Sequence, residues 1–334
     1  MEQTPNRRAL GKIALSLTFC ARAAWLASAV LSVAISACYA RRCDACAAVT
    51  VFPVWVWTLA GAGLIAAAWR CVGRRWTIPV ALAWSLVLVV FSDHPFSVLR
   101  FAERRSERTL RVVSINCSSN SKALHEVVAL RPDIVLVQES PGREPLLALA
   151  RELFGEKGEA LWAVDASIIA KGEISRVRLP QSVASYALCA RTTLTDYGEV
   201  EVVSLRLEPG LVRIDLWSPD CWHQQTANRQ RRRRQLNAIA GSLQSPLPLI
   251  VGGDFNAPPG DAVYDALQPQ LRDAFSEAGR GWGNTIINEL PFLRIDQVWH
   301  SSHWQACDVY SRRTEHSDHR MVICDVMLRA PDSQ

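Results

Sequence analysis

The chain has 334 residues, of which 49% are hydrophobic and 21% are charged, and its formal net charge at pH 7 is +5. Its mean hydropathy of +0.05 is high for a chain with this many arginines, and the excess of apolar residues lies near the front. Internal repeats and low-complexity linkers are absent from the sequence, which excludes a repeat architecture.

Three apolar segments occupy the front of the chain. The segment 15–37 contains Arg22 as its one charge, and the segments 47–69 and 76–92 contain none. A membrane-spanning helix needs about 20 mostly apolar residues, so the first two qualify and the third is slightly short. A cleaved signal peptide explains one such segment but not three. We therefore expect residues 1–95 to form a membrane domain with three transmembrane helices and the lipid bilayer as partner; three buried helices of a soluble domain are the alternative.

The basic residues around these segments indicate an orientation. They precede the first segment and separate the second from the third: Arg7, Arg8, Lys12, Arg70, Arg74 and Arg75. The loop between the first two segments holds Arg41 and Arg42 together with Asp44. Because basic loops stay cytoplasmic, three spans place the C-terminal domain in a periplasm or outside the cell. Loss of the short third span would reverse this prediction.

Beyond a linker at 96–109, whose part 101–109 is polar and basic, the pattern changes to short apolar runs. Each is typical of a buried strand and carries polar residues near one end. Five runs share this feature: 110–116 with Asn116, 132–139 with Glu139, 248–256 with Asp254 and Asn256, 293–299 with Asp296, and 317–328 with Asp318 and His319.

The most informative motif is Gly-Gly-Asp-Phe-Asn at 252–256, which follows four strand-compatible residues. Glycines permit a tight turn or a close approach, so we expect the strand to run out into a loop here. In an extended segment, residues i and i+2 share a face, so the Asp254 carboxylate and the Asn256 amide point the same way. Such a pair suits the orientation of water or a phosphate. A turn in which both residues cap backbone groups is the alternative for this motif alone.

In their order and spacing, these motifs together resemble the endonuclease/exonuclease/phosphatase superfamily, the deoxyribonuclease I-like fold. The resemblance covers roughly residues 108–330. It implies an α/β domain over 110–330, built as a two-sheet, four-layer sandwich with helices on the outer faces. The active site would lie where the strand ends converge at one edge, and the activity would be hydrolysis of phosphate esters.

The resemblance also implies a role for each of the seven residues. Carboxylate and amide oxygens suit Mg²⁺ or Mn²⁺. Asp254 would orient or deprotonate the attacking water, and Asn256 would hold that water or a phosphate oxygen. His319 would stabilise the pentacovalent transition state, with Asp296 fixing its tautomer and raising its pKa. The implied metal ligands are Asn116, Glu139 and Asp318, and the implied catalytic residues are Asp254, Asn256, Asp296 and His319.

One departure from the family pattern concerns the leaving group. Members usually carry a His, or in apurinic endonucleases a Tyr, at the end of the strand before the arginine-rich helix. We place that strand end at 212–220, where Trp217 or Ser218 occupies the position. Neither side chain can act as a cationic general acid. His223 follows a few residues later, but nothing in the sequence shows that it reaches the site.

The arginine-rich segment itself predicts a helix over 226–243. Its arginines spread around more than one face, so we expect a solvated or membrane-facing surface rather than a ridge that binds phosphates. The expected buried stripe consists of Leu236, Ile239, Ala240 and Leu243.

The predicted function is that of a membrane-anchored, divalent-metal-dependent phosphoesterase acting on a phosphodiester, either nucleic acid or a phospholipid-type substrate. The alternative is a non-catalytic membrane protein that keeps the fold as a binding or scaffolding module, which the missing histidine favours. The set Asp254, Asp318 and His319 favours the enzyme, because a binding module has no physical need for all three. Substrate, choice of ion and oligomeric state stay open.

Overall fold

The computed structural model describes residues 7–92, 94–101, 109–211, 213–243 and 245–329, so residues 102–108 of the predicted linker lie outside the described residues. The chain divides into two compact units between Ser92 and Asp93. We call the first the helical unit and the second the β-sheet unit, and describe each by itself.

The helical unit contains three helices that are long and apolar enough to cross a membrane, by length and composition. The predicted segment 47–69 is wrong at its start, because the chain forms a short helix and a turn before Pro53, and the long helix begins only after it. Proline disfavours a helical residue before it and suits a helix start. The helices are α1 Arg7–Arg41, α2 Ala47–Thr50, α3 Val54–Val72 and α4 Arg74–Phe91, with a 3-10 turn at Asp44–Cys46.

A buried polar contact joins the three long helices. Trp84 Nε1 of α4 donates to Ser28 Oγ of α1 at 3.0 Å, and that hydroxyl donates to the Gly61 carbonyl of α3 at 3.0 Å. A Cβ added at Gly61 would lie 2.1 Å from the Trp84 ring. The glycine is therefore required for the indole to approach α3.

The β-sheet unit contains two six-stranded mixed sheets. The strands are β1 Leu110–Asn116, β2 Ile134–Gln138, β3 Gly158–Leu161, β4 Ala166–Lys171, β5 Ile174–Val177, β6 Ala187–Leu194, β7 Gly198–Arg206, β8 Leu249–Asp254, β9 Leu271–Asp273, β10 Asp296–Ser301, β11 Trp304–Arg312 and β12 Met321–Leu328. One sheet has the order β11-β12-β1-β2-β4-β3 and the other has the order β5-β6-β7-β8-β10-β9. The helices are α5 His94–Ser97, α6 Ser121–His125, α7 Arg143–Phe154, α8 Pro219–Ala240 and α9 Ala274–Ala278, with 3-10 turns at Glu126–Leu130, Gly155–Lys157 and Ala262–Ala266.

The core has three layers of apolar contacts. The inner faces of the two sheets pack together, as Leu136 of β2 and Val202 of β7 illustrate. Helices α6 and α7 cover the outer face of the first sheet, and α8 covers the outer face of the second through Leu236 and Ile239. Ala240 and Leu243 are partly buried beside them. This confirms the predicted four-layer α/β sandwich.

Two boundaries differ from the sequence prediction. Helix α8 begins at Pro219 rather than at 226, because proline suits the first helical position. The glycine pair of the 252–256 motif does not end its strand, since β8 continues to Asp254 between β7 and β10. Gly253 has φ 144°, and an added Cβ would lie 1.9 Å from the Leu205 carbonyl. The glycine permits close strand approach rather than a turn.

Candidate active site

The centre of the site is a group of three hydrogen-bonded side chains at the ends of three strands. Asn116, the last residue of β1, donates from Nδ2 to Glu139 Oε1 at 3.0 Å and to Asp254 Oδ2 at 3.2 Å. Glu139 follows β2 directly and has φ 45°, which turns the chain sharply out of the strand. Asn116 is fully buried, so its amide holds the two carboxylates side by side. Two carboxylates held in this way provide oxygen ligands for a cation.

Asn256 orients the Asp254 carboxylate from the other side. Its backbone N–H donates to Asp254 Oδ1 at 2.9 Å, and its Nδ2 donates to Oδ2 at 3.2 Å. Asn256 has φ 51°, a left-handed conformation that asparagine adopts more readily than most residues. Its Nδ2 also donates to the Leu207 carbonyl at 2.9 Å, and its Oδ1 accepts from the Gly210 N–H at 3.4 Å. The two side chains therefore lie together as the motif predicts, with the Asn256 amide bonded to protein groups.

Two buried arginines of α8 support this loop. Arg232 donates a short hydrogen bond to the Asn256 carbonyl, and Arg229 Nε donates to Asp261 Oδ2 at 3.1 Å. Both side chains are at most 2% exposed. The expectation of a solvated or membrane-facing arginine surface is therefore wrong for these two residues. Helical periodicity does not reveal an acceptor on a distant segment, and such an acceptor is what makes a buried guanidinium tolerable.

An aspartate–histidine pair lies beside the central group. Asp296, the first residue of β10, accepts a hydrogen bond at Oδ2 from His319 Nδ1 at 2.9 Å, and both residues are buried. Burial alone would lower the pKa of His319, but the adjacent Asp296 carboxylate and its hydrogen bond outweigh burial and raise this pKa to about 10. His319 therefore carries a positive charge at neutral pH.

The Asp254 carboxyl titrates near neutrality. Burial raises its pKa to about 7, and the negative charge of Asp296, which lies opposite Asp254 in the antiparallel register of β8 and β10, adds to this effect. The charge of His319 and the N–H of Asn256 act in the other direction. A carboxyl group with this pKa can accept a proton from water and release it again near pH 7.

Asp318 lies at the edge of the site and is exposed, unlike the other predicted residues. Its Oδ1 accepts a short hydrogen bond from the Ser118 hydroxyl, and the Ser118 N–H donates to Asn116 Oδ1 at 3.0 Å. Ser118 thus connects Asp318 to the central group. Among the described His, Cys, Asp and Glu residues, Asp254, Asp296 and His319 also form a cluster that could hold a metal ion, since their ligand atoms lie within 4.8 Å of one another. Within this cluster, His319 Nδ1 is bonded to Asp296, which raises the pKa of the imidazole.

The structure corrects the position of the strand before the arginine-rich helix. The described residues of 212–220 form a loop and the start of α8, and Trp217 in this loop is 83% exposed. The strand that ends at the site before α8 is β7, whose last residue is Arg206. His223 is exposed on α8. The sequence prediction placed a strand end at 212–220 because a short apolar run does not reveal whether it pairs with any strand.

Arg206 is the site residue that the sequence prediction missed. Its Nη2 lies 2.9 Å from Glu139 Oε1 and its Nη1 lies 3.3 Å from Asp165 Oδ1. Its Nε is buried and has no hydrogen-bond partner among the described residues. Arg206 is aligned with Asp254 in the parallel register of β7 and β8. The run 198–206 ends in a polar residue as the other site strands do, which is the signal that could have identified it.

A two-sheet α/β sandwich with paired carboxylates and an aspartate–histidine pair at its strand ends defines a hydrolase of phosphate esters. The chain belongs to the endonuclease/exonuclease/phosphatase family, because the profile with that description matches residues 113–319, more than half of the chain. This family consists of metal-dependent phosphoesterases, as the sequence resemblance implied.

Solved structures of the same family show the same fold. The proteins from Bacteroides vulgatus, Bacteroides thetaiotaomicron and Beutenbergia cavernae match with TM-scores of 0.51, 0.50 and 0.50 at 14%, 15% and 16% identity. The matches cover 66%, 68% and 66% of this chain and 99%, 100% and 72% of those chains. No curated protein sequence gives a significant match.

Proposed function

We propose that the chain is a membrane-anchored, divalent-metal-dependent phosphodiesterase that uses water as its nucleophile. The observation that supports this most strongly is the hydrogen-bonded group of Asn116, Glu139 and Asp254 beside the Asp296–His319 pair. It combines a place for a cation, a base that titrates near pH 7 and a buried positive charge. These are the components that hydrolysis of a phosphate ester requires.

The metal ligands in this proposal are Asn116, Glu139 and Asp318. All three offer hard oxygen atoms, which fit Mg²⁺ or Mn²⁺. Ser118 supports this grouping, since it bonds to both Asn116 and Asp318. A bound Mg²⁺ or Mn²⁺ would neutralise charge on the phosphate oxygens.

In this proposal Asp254 is the general base and His319 supplies a positive charge. Asp254 accepts the proton of the attacking water, and two hydrogen bonds from Asn256 keep its carboxylate in one orientation. The imidazolium of His319, held by Asp296, stabilises negative charge on the phosphoryl group as the new P–O bond forms. Because the positive charge is already in place, it requires no reorganisation in the transition state.

Arg206 takes the place that we expected a histidine or tyrosine to fill. Its guanidinium lies beside Glu139 and the side chain is 24% exposed, so it can donate to the departing oxygen or to a phosphate oxygen. A guanidinium does not release its proton near neutral pH, so Arg206 stabilises charge but does not act as a general acid. The departing oxygen then takes its proton from solvent, which balances the proton that Asp254 accepts.

The three candidate spans support an anchor in the lipid bilayer. With Arg74 and Arg75 between the second and third spans, the positive-inside bias favours a β-sheet unit in the periplasm or outside the cell. An anchored enzyme meets substrates at or near the membrane, while nucleic acid remains a substrate to be tested.

The proposal is tested with the full chain in detergent. Hydrolysis of bis-p-nitrophenyl phosphate is measured with Mg²⁺, with Mn²⁺ and with a chelator. We expect metal-dependent turnover that falls by about a thousandfold in Asp254→Asn, since a positioned base contributes about 10²–10⁴-fold. Thr195→Asn, on the exposed turn between β6 and β7, is the matched surface control and should keep full activity.

Two results would contradict the enzyme. One is turnover that survives Asp254→Asn in a folded protein. The other is a folded wild type that hydrolyses neither this diester nor plasmid DNA nor lipid phosphodiesters with any of the ions. The second result would favour the alternative of a binding or scaffolding module.

A further inference from the structure

Exposed apolar side chains are concentrated in a few parts of the β-sheet unit. Among its described residues, every exposed large apolar side chain falls in one of four segments. The most exposed are Phe101 at 91%, Trp217 at 83% and Leu290 at 78%. Exposed apolar side chains that are grouped in a few loops are typical of an interaction site. The four segments are 96–101, 162–164, 214–217 and 282–290.

Three of these segments border the active site through backbone hydrogen bonds. The loop with Trp162 and Val164 accepts from Ser140 N at the Val164 carbonyl (3.3 Å), directly after the proposed ligand Glu139. The loop with Ile214 and Trp217 begins at Gly210, which donates to Asn256 Oδ1. The loop with Ile287 and Leu290 donates from Asn288 N to the Asp318 carbonyl at 2.8 Å. Three loops that carry exposed apolar side chains are thus bonded to residues of the charged site or to their chain neighbours.

The charges in these loops distinguish a surface that binds nucleic acid from one that contacts a lipid–water interface. Every charged side chain described in 162–165, 208–218 and 282–292 has an oppositely charged partner within 4.0 Å. Arg213, for example, donates from Nε to Asp215 Oδ1 at 2.9 Å. Nucleic acid binds mainly through cations that are free to contact phosphates. Paired charges among exposed Trp, Ile, Leu and Val residues instead match a lipid–water interface.

The fourth segment, 96–101, follows the third candidate span in the chain and is bonded to the residues that lead into the loop 282–290. Ser97 Oγ donates to the Gly281 carbonyl at 2.7 Å, and Gly281 N donates back to the Ser97 carbonyl at 2.9 Å. Arg100 Nη1 also donates to the Gly279 carbonyl at 3.2 Å. Ser97 lies six residues after Phe91, the last residue of the third candidate span. The loop that begins at Gly281 is therefore bonded to the segment that follows the third candidate span in the chain.

We propose that six of these side chains form an apolar collar that contacts the bilayer surface, and that the phosphodiester hydrolysed belongs to the head group of a membrane lipid. The inference rests on the proposed phosphodiesterase and names its substrate class. The lipid chains stay in the membrane while the head group enters the site, and water is added across the P–O bond. The collar consists of Trp162, Val164, Ile214, Trp217, Ile287 and Leu290.

The test uses the full chain reconstituted into vesicles of phosphatidylcholine, phosphatidylglycerol and sphingomyelin in equal parts. Phosphorus NMR follows the loss of each lipid phosphodiester, and bis-p-nitrophenyl phosphate reports on the same site with a soluble ester. The collar variant is Trp217→Glu with Leu290→Glu. Its matched control is Thr195→Glu with Gln305→Glu, which adds the same charge at exposed positions at the opposite ends of the strands.

We expect metal-dependent hydrolysis of at least one of the lipids. The collar variant should lose about tenfold or more of it, because burying one such side chain in an apolar phase is worth at least that factor. Turnover of the soluble ester should stay within about twofold of wild type in both variants, because none of these four residues contacts the reacting groups. The control should retain lipid hydrolysis.

The inference is overturned if the wild type hydrolyses the soluble ester or plasmid DNA while all three lipids stay intact, or if the collar variant hydrolyses lipid as fast as its control. If the proposed phosphodiesterase function is wrong, the result is different, since no substrate of any kind is then hydrolysed with either ion. The two failures are therefore distinguishable.

Discussion

The helical unit and the β-sheet unit bury different kinds of polar groups. In the described part of the helical unit the buried polar side chains are the hydroxyls of Ser28, Ser32, Thr50 and Thr77, while large apolar residues such as Leu15 face outward. Among the described residues of the β-sheet unit, charged side chains including Arg229, Arg232, Asp254, Asp296 and His319 are buried, and large apolar residues are exposed in four segments.

This difference shows how far each unit depends on distant partners. A hydroxyl in a helix can donate to a carbonyl of its own helix, as Ser32 does to Ala29 and Thr77 does to Arg74. A buried charge requires a partner from another element, as Arg229 requires Asp261. The helical unit is therefore organised mostly by local bonds and small residues, whereas the β-sheet unit depends on the register of remote strands.

Gly253→Ala should strongly destabilise the β-sheet unit. The new Cβ would meet the Leu205 carbonyl in a strand that cannot move away, so we expect a loss of more than about 4 kcal/mol in the free energy of unfolding. Thermal unfolding followed by circular dichroism measures this loss. Gly260→Ala is the control, because it also has a positive φ (74°) but meets no atom within 4 Å, and it should cost only about 1 kcal/mol. Equal losses in the two variants would show that backbone strain, not strand approach, requires the glycine.

Arg206→Ala should lower turnover of a diester by about 10²–10³-fold, the usual effect of removing one donor to developing charge. Arg206→Lys should recover part of the rate, because it restores the charge but not the planar set of donors. Steady-state kinetics and a folding control by circular dichroism measure both effects. An alanine variant as active as wild type would restrict Arg206 to balancing the charge of Glu139.

Asp296→Asn should remove a pH-dependent contribution to stability. In the wild type the pKa of His319 is about 10, above its ordinary value of 6.5. The stabilisation is therefore fully present below pH 6.5 and is lost as the pH rises through about 10. We expect the difference in unfolding free energy between wild type and variant to shrink over this range. Chemical denaturation at several pH values measures it, and a constant difference would contradict the charged pair.

Gly61→Ala should have the smallest effect and should act on the helical unit. An added Cβ would meet the Trp84 ring, so α3 must shift or the indole must leave Ser28, at a cost of about 1–3 kcal/mol. Gly63→Ala, two residues along the same helix, meets nothing within 4 Å and should be neutral or slightly stabilising. Thermal unfolding in detergent compares them, and identical curves would show that the contact of the three helices tolerates a methyl group.

Much of the fold followed from local patterns. Apolar runs that end in polar residues correctly located the strands around Asn116, Glu139 and Asp254, because a buried strand must be apolar wherever it is placed. Apolar length alone located the three candidate spans, apart from the helix start after Pro53. These features depend on a residue and its near neighbours, so they can be read without knowing what packs against them.

Pairing across the chain could not be read in this way. The sequence by itself determined the two-part organisation, the family and the set of polar residues at strand ends, because each is encoded in a short segment. Only the tertiary structure decided that Arg206 and not Trp217 stands at the site, that Arg229 and Arg232 are buried, and that the glycine pair lies within a strand. Each depends on strand register or on a partner far along the chain, because a buried charge or a missing Cβ has meaning only beside the group it meets.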